Sequence, residues 1–182
     1  MQQGHPPHFK NQALLDEAAL LACMAYVDLN PARAGLATSL ADSDFTSVQQ
    51  RVQRLPQKDG VEARVHRRDR LQTIPLAPFT GDPAGRRSCG PALPIRRGDY
   101  IRLVEATGRL AVPGKRGVLP KDCEPILQRL VLSPDQWRLL SLTVQAAGLS
   151  SVGNLGQLRR FCNDTGRSRL TPLGVLKQVY PL

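Results

Sequence analysis

Aromatic rings, histidines, paired cysteines and long apolar runs are all scarce in this 182-residue chain, and each shortage closes off a class of function. Phe, Tyr and Trp together make up 4% of the residues, so burial has to come from Leu, Val, Ile and Ala. That suits a modest helical core better than a large enzyme core. No run of about 18 uncharged apolar residues exists, and the opening MQQGHPPHFK has no apolar signal region. Neither a membrane span nor export is therefore expected, which makes a cytoplasmic location the expectation. The four cysteines, Cys23, Cys89, Cys123 and Cys162, form no Cys-x-x-Cys pair. A zinc ribbon or thioredoxin motif is excluded, and ordinary free thiols are expected.

What the chain has in excess is positive charge, and it is unevenly placed. Residues 1–60 hold 5 basic and 6 acidic side chains, whereas residues 61–182 hold 20 and 9. The basic residues recur in small knots, among them Arg67 with Arg68, Arg159 with Arg160, and Arg167 with Arg169. Arginine forks neutralise phosphates and release condensed counterions, so these knots suit nucleic acid. A solvated basic surface, biased toward Arg by base composition, explains the same count, and charge alone does not choose.

Periodicity predicts a mainly α fold, with small helical bundles joined by an irregular linker rich in Pro, Gly and Arg. Leu14, Ala18, Leu21, Ala22, Ala25 and Leu29 recur at helical steps and predict a helix over 12–30. In Asn30-Pro31-Ala-Arg-Ala-Gly35, Asn suits an N-cap, Pro the first helical position and Gly a left-handed end, which predicts one compact turn. Thr46 and Gln49 have capping-box spacing at the start of a third helix. From Pro56 to about residue 97 dense Pro and Gly erase periodicity. Beyond it, helices are expected over 99–107 up to Gly108, over 122–132 with Pro125 in its first turn, from Ser133 to Gly148, and from Asn154 to Asp164 before Gly166. The segments are thus a disordered 1–11, a helical 12–55, a basic linker 56–97 and a basic helical region 98–182.

Tyr26 and Asn30 stand four apart, on one face of the first helix. A phenol can act as a nucleophile and an amide oxygen can ligate a hard cation, yet a helix tyrosine can equally serve packing and Asn30 a cap. The wider string ALLACMAYVDLNPARAGLA resembles the single-tyrosine transposases of the IS200/IS605 type, in particular the REP-associated tyrosine transposases, which carry Tyr-x-x-x-Asn-Pro-x-Arg-Ala-Gly. HFKNQALLDEAALL and DSDFTSVQQRV extend that likeness, and DYIRLVEATGRLAVPGKRG and PILQRLVLSPDQW are similar to the family's C-terminal extension.

The resemblance implies cleavage and joining of single-stranded DNA. Tyr26 would be the nucleophile, Asn30 a ligand of Mg2+ or Mn2+, and Arg33 a partner of either a phosphate or an internal carboxylate. It also implies a homodimer and hairpin DNA as substrate. The family's other metal ligands lie on a His-hydrophobic-His strand, and here the histidines are His5, His8 and His66 only. His5-Pro6-Pro7-His8 does not replace that strand, because prolines cannot donate to a sheet ladder. The expectation is a truncated, transposase-like protein, inactive alone and with no bound metal. The alternatives are a non-catalytic DNA-binding module, in which Arg33, Arg67, Arg68, Arg159 and Arg160 hold DNA weakly, and a decayed gene product.

If these arginines contact phosphates, neutralising any one of them should lower the salt slope of DNA binding by about one unit and weaken all sequences alike. Filter binding of Arg159→Gln and Arg67→Gln across a salt series checks this.

Overall fold

The computed structural model describes residues 11–44, 46–53, 76–82, 91–110, 119–145, 149–167 and 173–180. His5, His8, His66, Cys89, Arg67 and Arg68, most of the expected linker and the first ten residues of the expected disordered N-terminus lie outside them. The described residues are mainly helical, as expected: α1 (Glu17–Asp28), α2 (Asn30–Arg33), α3 (Ser47–Gln53), α4 (Arg97–Leu110), α5 (Glu124–Arg129), α6 (Pro134–Thr143), α7 (Leu155–Thr165) and α8 (Leu173–Val179). No described helix is long and apolar enough to cross a membrane. Described cysteines Cys23, Cys123 and Cys162 are free thiols, and burial pushes the Cys23 and Cys123 thiols above their ordinary value.

The chain forms two compact units, one from residues 1–23 with 135–182 and one from residues 24–134. They cut across the segments drawn from the sequence, because the first unit joins two stretches far apart along the chain and the second runs through the expected linker.

In the first unit, the expected start of helix α1 at residue 12 is corrected. Ala13–Leu14 is instead a short strand, β1, paired in parallel with β2 (Ser151–Val152). The Ala13 amide donates to the Ser150 carbonyl at 2.9 Å and the Leu15 amide to Val152 at 2.8 Å. Gly153 permits this approach, since a Cβ there would sit 2.8 Å from the Leu15 Cβ. Helix α1 begins only after Asp16, whose Oδ1 accepts the Ala19 amide at 2.8 Å as an N-cap. The same carboxylate accepts the Asn154 amide at 2.7 Å and the Tyr180 hydroxyl at 3.0 Å, binding the starts of α1 and α7 and the end of α8. Burial, with Asp16 opposite, drives the Tyr180 phenol far above its ordinary value, so it stays a donor. Trp137, Leu140, Leu158, Leu176 and Val179 complete the buried set. Helix α7 follows its sequence signals closely. Asn154 caps it by accepting the Gln157 amide at 3.0 Å, and Gly166 ends it at φ +65°.

In the second unit, Gly35 ends α2 as expected, at φ +71° and with the Leu36 amide returning to the Pro31 carbonyl at 2.9 Å, while Pro31 is the second residue of α2 and not the first. The assignment of Asn30 as N-cap is corrected. Leu29 holds that position and makes no side-chain cap, while Asn30 is already helical. Thr46 does cap α3, accepting the Gln49 amide at 3.3 Å, but Gln49 turns to Asp44 and the Ala41 carbonyl instead of closing the box. Gly108 does not stop α4, which runs on to Leu110. A Cβ at Gly108 would meet the Leu29 Cδ2 at 3.0 Å, so the glycine provides room for Leu29. Pro125 does lie in the first turn of α5. Part of the expected irregular linker is packed, since Phe79 and Ile95 are buried and Phe79 bridges Leu93.

Helix α5 ends on Val131 at φ +56°, with the Val131 amide on Gln128 and the Leu132 amide on Leu127, each at 3.0 Å. A β-branched residue is strained in that region, and Val131 is 83% exposed, so no burial offsets the strain. Val131→Gly should therefore raise stability by about 1 kcal/mol. A higher urea midpoint at an unchanged m value is the expected reading.

Candidate functional site

The corner between α1 and α2 carries the residues picked out by their spacing. Pro31 has no amide hydrogen for the Val27 carbonyl, which separates the two helices at Leu29. Tyr26 is half-buried near the end of α1, and Asn30 and Arg33 are exposed on α2. The Arg33 guanidinium lies over the Tyr26 ring, 5.1 Å from its centroid. Burial against that ring draws Arg33 below its ordinary value, while Tyr26 opposes the shift. The Tyr26 hydroxyl and the Asn30 side-chain amide have no hydrogen-bond partner among the described residues.

This corner is set by a carboxylate two residues from the tyrosine. Asp28 is 1% exposed and accepts the Tyr100 hydroxyl at 2.5 Å, the Ser47 hydroxyl at 3.0 Å and the Val48 amide at 3.2 Å. It thereby fixes the end of α1 to the N-terminus of α3 and to α4, where exposed helix amides favour an anion. Behind it, Arg51 is 6% exposed, stacks 4.1 Å from the Phe79 ring centroid and donates to the Ala77 carbonyl at 3.2 Å. Burial lowers the Arg51 guanidinium below its usual value, and Tyr100, Asp28 and Asp82 pull it back. Asp82 accepts the Phe79 amide at 3.0 Å and pairs with Arg97 at 2.9 Å. Periodicity does not single out Asp28, because its partner Tyr100 is 72 residues away.

A phenol, a neutral amide and a stacked cation can together contact a phosphodiester, Arg33 neutralising it and Tyr26 presenting its oxygen. They do not suffice for a divalent cation. Mg2+ needs about six oxygen ligands, and Asn30 offers one neutral oxygen. Among the described residues no group of three or more His, Cys, Asp or Glu could hold a metal.

The structure brings Tyr26 and Arg33 together at the corner that also carries Asn30; the other expected DNA-binding residues of the described set, Arg159 and Arg160, belong to the other unit, exposed on α7. Neither has an ion-pair partner among the described residues. No family model, no curated protein and no solved structure matches this chain.

Tyr100→Phe removes one of the Asp28 donors without opening a cavity, and should cost about 1–3 kcal/mol. Asp28→Ala should cost more, since it also strips the N-terminus of α3, and the double variant should fall well short of the sum. Urea denaturation of the four proteins tests the coupling.

Proposed function

We propose that this chain is a single-tyrosine transposase-like DNA-binding protein that holds single-stranded or hairpin DNA and does not cleave it alone. The observation that carries this reading is the α1–α2 corner. There the Tyr-x-x-x-Asn-Pro-x-Arg-Ala-Gly string sets the Tyr26 ring, whose hydroxyl has no hydrogen-bond partner among the described residues, beside Arg33. A phosphodiester placed on Arg33 would lie beside the phenol. Attack would still need the leaving 3′ oxygen and the phosphate to be polarised. Asn30 cannot do that unaided, and the 182 residues contain no His-x-His pair to assist it. Arg159 and Arg160 supply binding that needs no chemistry, which favours a non-catalytic DNA-binding module as the second reading. A homodimer and a complementing chain bearing the histidines are partners that the resemblance suggests.

Labelled hairpin DNA incubated with the protein and Mg2+ or Mn2+ tests the proposal. The expected result is salt-sensitive retention of the DNA without any covalent adduct. An adduct that disappears in Tyr26→Phe would overturn the statement that the chain is inactive alone, and absence of salt-sensitive retention would overturn DNA binding altogether.

A further inference from the structure

The end of α7 carries a feature that charge counting does not reveal. Gly166, at φ +65°, reverses the chain, and the Arg167 amide donates to the Cys162 carbonyl at 3.0 Å. This turn lays the Arg167 guanidinium over the Phe161 ring, 5.4 Å from its centroid. Phe161 is only half-buried, Arg167 is exposed, and Arg167 has no ion pair or hydrogen bond from its side chain among the described residues. Arg160 precedes Phe161 on the solvent side of the helix, with Arg159 beside it and Leu158 turned into the core. Asp164 is the one acidic side chain of this helix, against three arginines from 159 to 167.

A guanidinium plane beside an aromatic ring has less orientation to lose than a free one, and that of Arg167 is exposed. Such a plane takes a nucleobase by stacking, but only a base that is not already stacked in a duplex. Resting on the DNA reading above, we infer that Arg167 on Phe161 is a stacking step for an unpaired base of single-stranded DNA, with Arg160 and Arg159 neutralising adjacent phosphates. The surface then selects unpaired over duplex DNA without reading sequence, since every base has a π face. A phosphate-only surface would bind according to charge density, and would favour the duplex.

Fluorescence anisotropy with the full chain separates these cases, using a labelled thymidine oligomer, an abasic strand of the same length, the corresponding duplex and a uridine ribo-oligomer. The wild type should bind the thymidine strand about tenfold more tightly than the abasic strand, in line with the usual strength of one stacked base. Arg167→Lys keeps the charge but loses the plane, and Phe161→Leu keeps apolar bulk but loses the ring. Both should abolish that preference, bringing affinity for the thymidine strand down to that for the abasic strand. Arg160→Gln should weaken both strands equally. Salt-sensitive binding with no preference for bases, or a preference that survives Arg167→Lys, overturns the stacking step and leaves the DNA reading intact. Tighter binding of the duplex or of the ribo-oligomer overturns the assignment to single-stranded DNA. Failure to bind any strand overturns both readings. Circular dichroism of each variant shows whether the helices persist, and if Phe161→Leu unfolds, Arg167→Lys decides alone.

Discussion

A carboxylate taken almost wholly out of water needs donors on every side, and Asp28 obtains them from three stretches of chain. The Tyr100 hydroxyl comes from α4, and the Ser47 hydroxyl and Val48 amide come from the start of α3. The rest of the unit from 24 to 134 is arranged around these bonds. Tyr100 packs against Phe79 at 5.3 Å between centroids, Phe79 carries Arg51, and Leu29 sits against the glycine gap at Gly108. Replacing Tyr100 or Ser47 leaves the buried Asp28 carboxylate one donor short, at a desolvation cost.

The carboxylate also connects the fold to the candidate site. Asp28 is two residues from Tyr26 and two from Asn30, so the bonds that tether it to α3 and α4 also fix the direction in which the tyrosine and the amide leave the helix. The other unit uses the same device. Asp16 ties the starts of α1 and α7 to Tyr180 near the C-terminus, and so holds the helix that carries Arg159, Arg160 and Phe161. In each unit a buried or half-buried acid organises the interior, and arginines stacked on rings, Arg33 on Tyr26 and Arg167 on Phe161, face outward.

The α1–α2 corner was legible because its chemistry is local. Tyr26, Asn30, Pro31, Arg33 and Gly35 interact within about two helical turns, and spacing alone places them on one corner. Spacing misjudged Asn30 as a cap because an asparagine ahead of Pro suits that role on average, whereas here the chain leaves α1 so smoothly that Leu29 occupies the position. The supporting residues behind the corner were not legible. Nothing near Asp28 in the sequence announces Tyr100, and nothing near Arg51 announces Phe79. The Arg167 return over Phe161 depends on a left-handed Gly166 that reads, in sequence, simply as the end of a helix.

The sequence by itself determined the helical class, the positions of α7 and α2, the first turn of α5 and the cap on α3. Capping and propensity act between residues at most four or five apart, so the order of residues already contains both partners. Only the tertiary structure decided that Ala13–Leu14 leaves the helix to pair with Ser151–Val152, that Gly108 is a contact instead of a terminator, and that Asp28 is a hub. Those outcomes turn on groups some 70 to 140 residues apart competing with local preference, as in the Asp28–Tyr100 and Asp16–Asn154 bonds. The helix preference of two residues such as Ala13 and Leu14, or the cost of one glycine in a helix, amounts to about 1 kcal/mol or less, and a buried hydrogen bond or a filled contact is enough to reverse it.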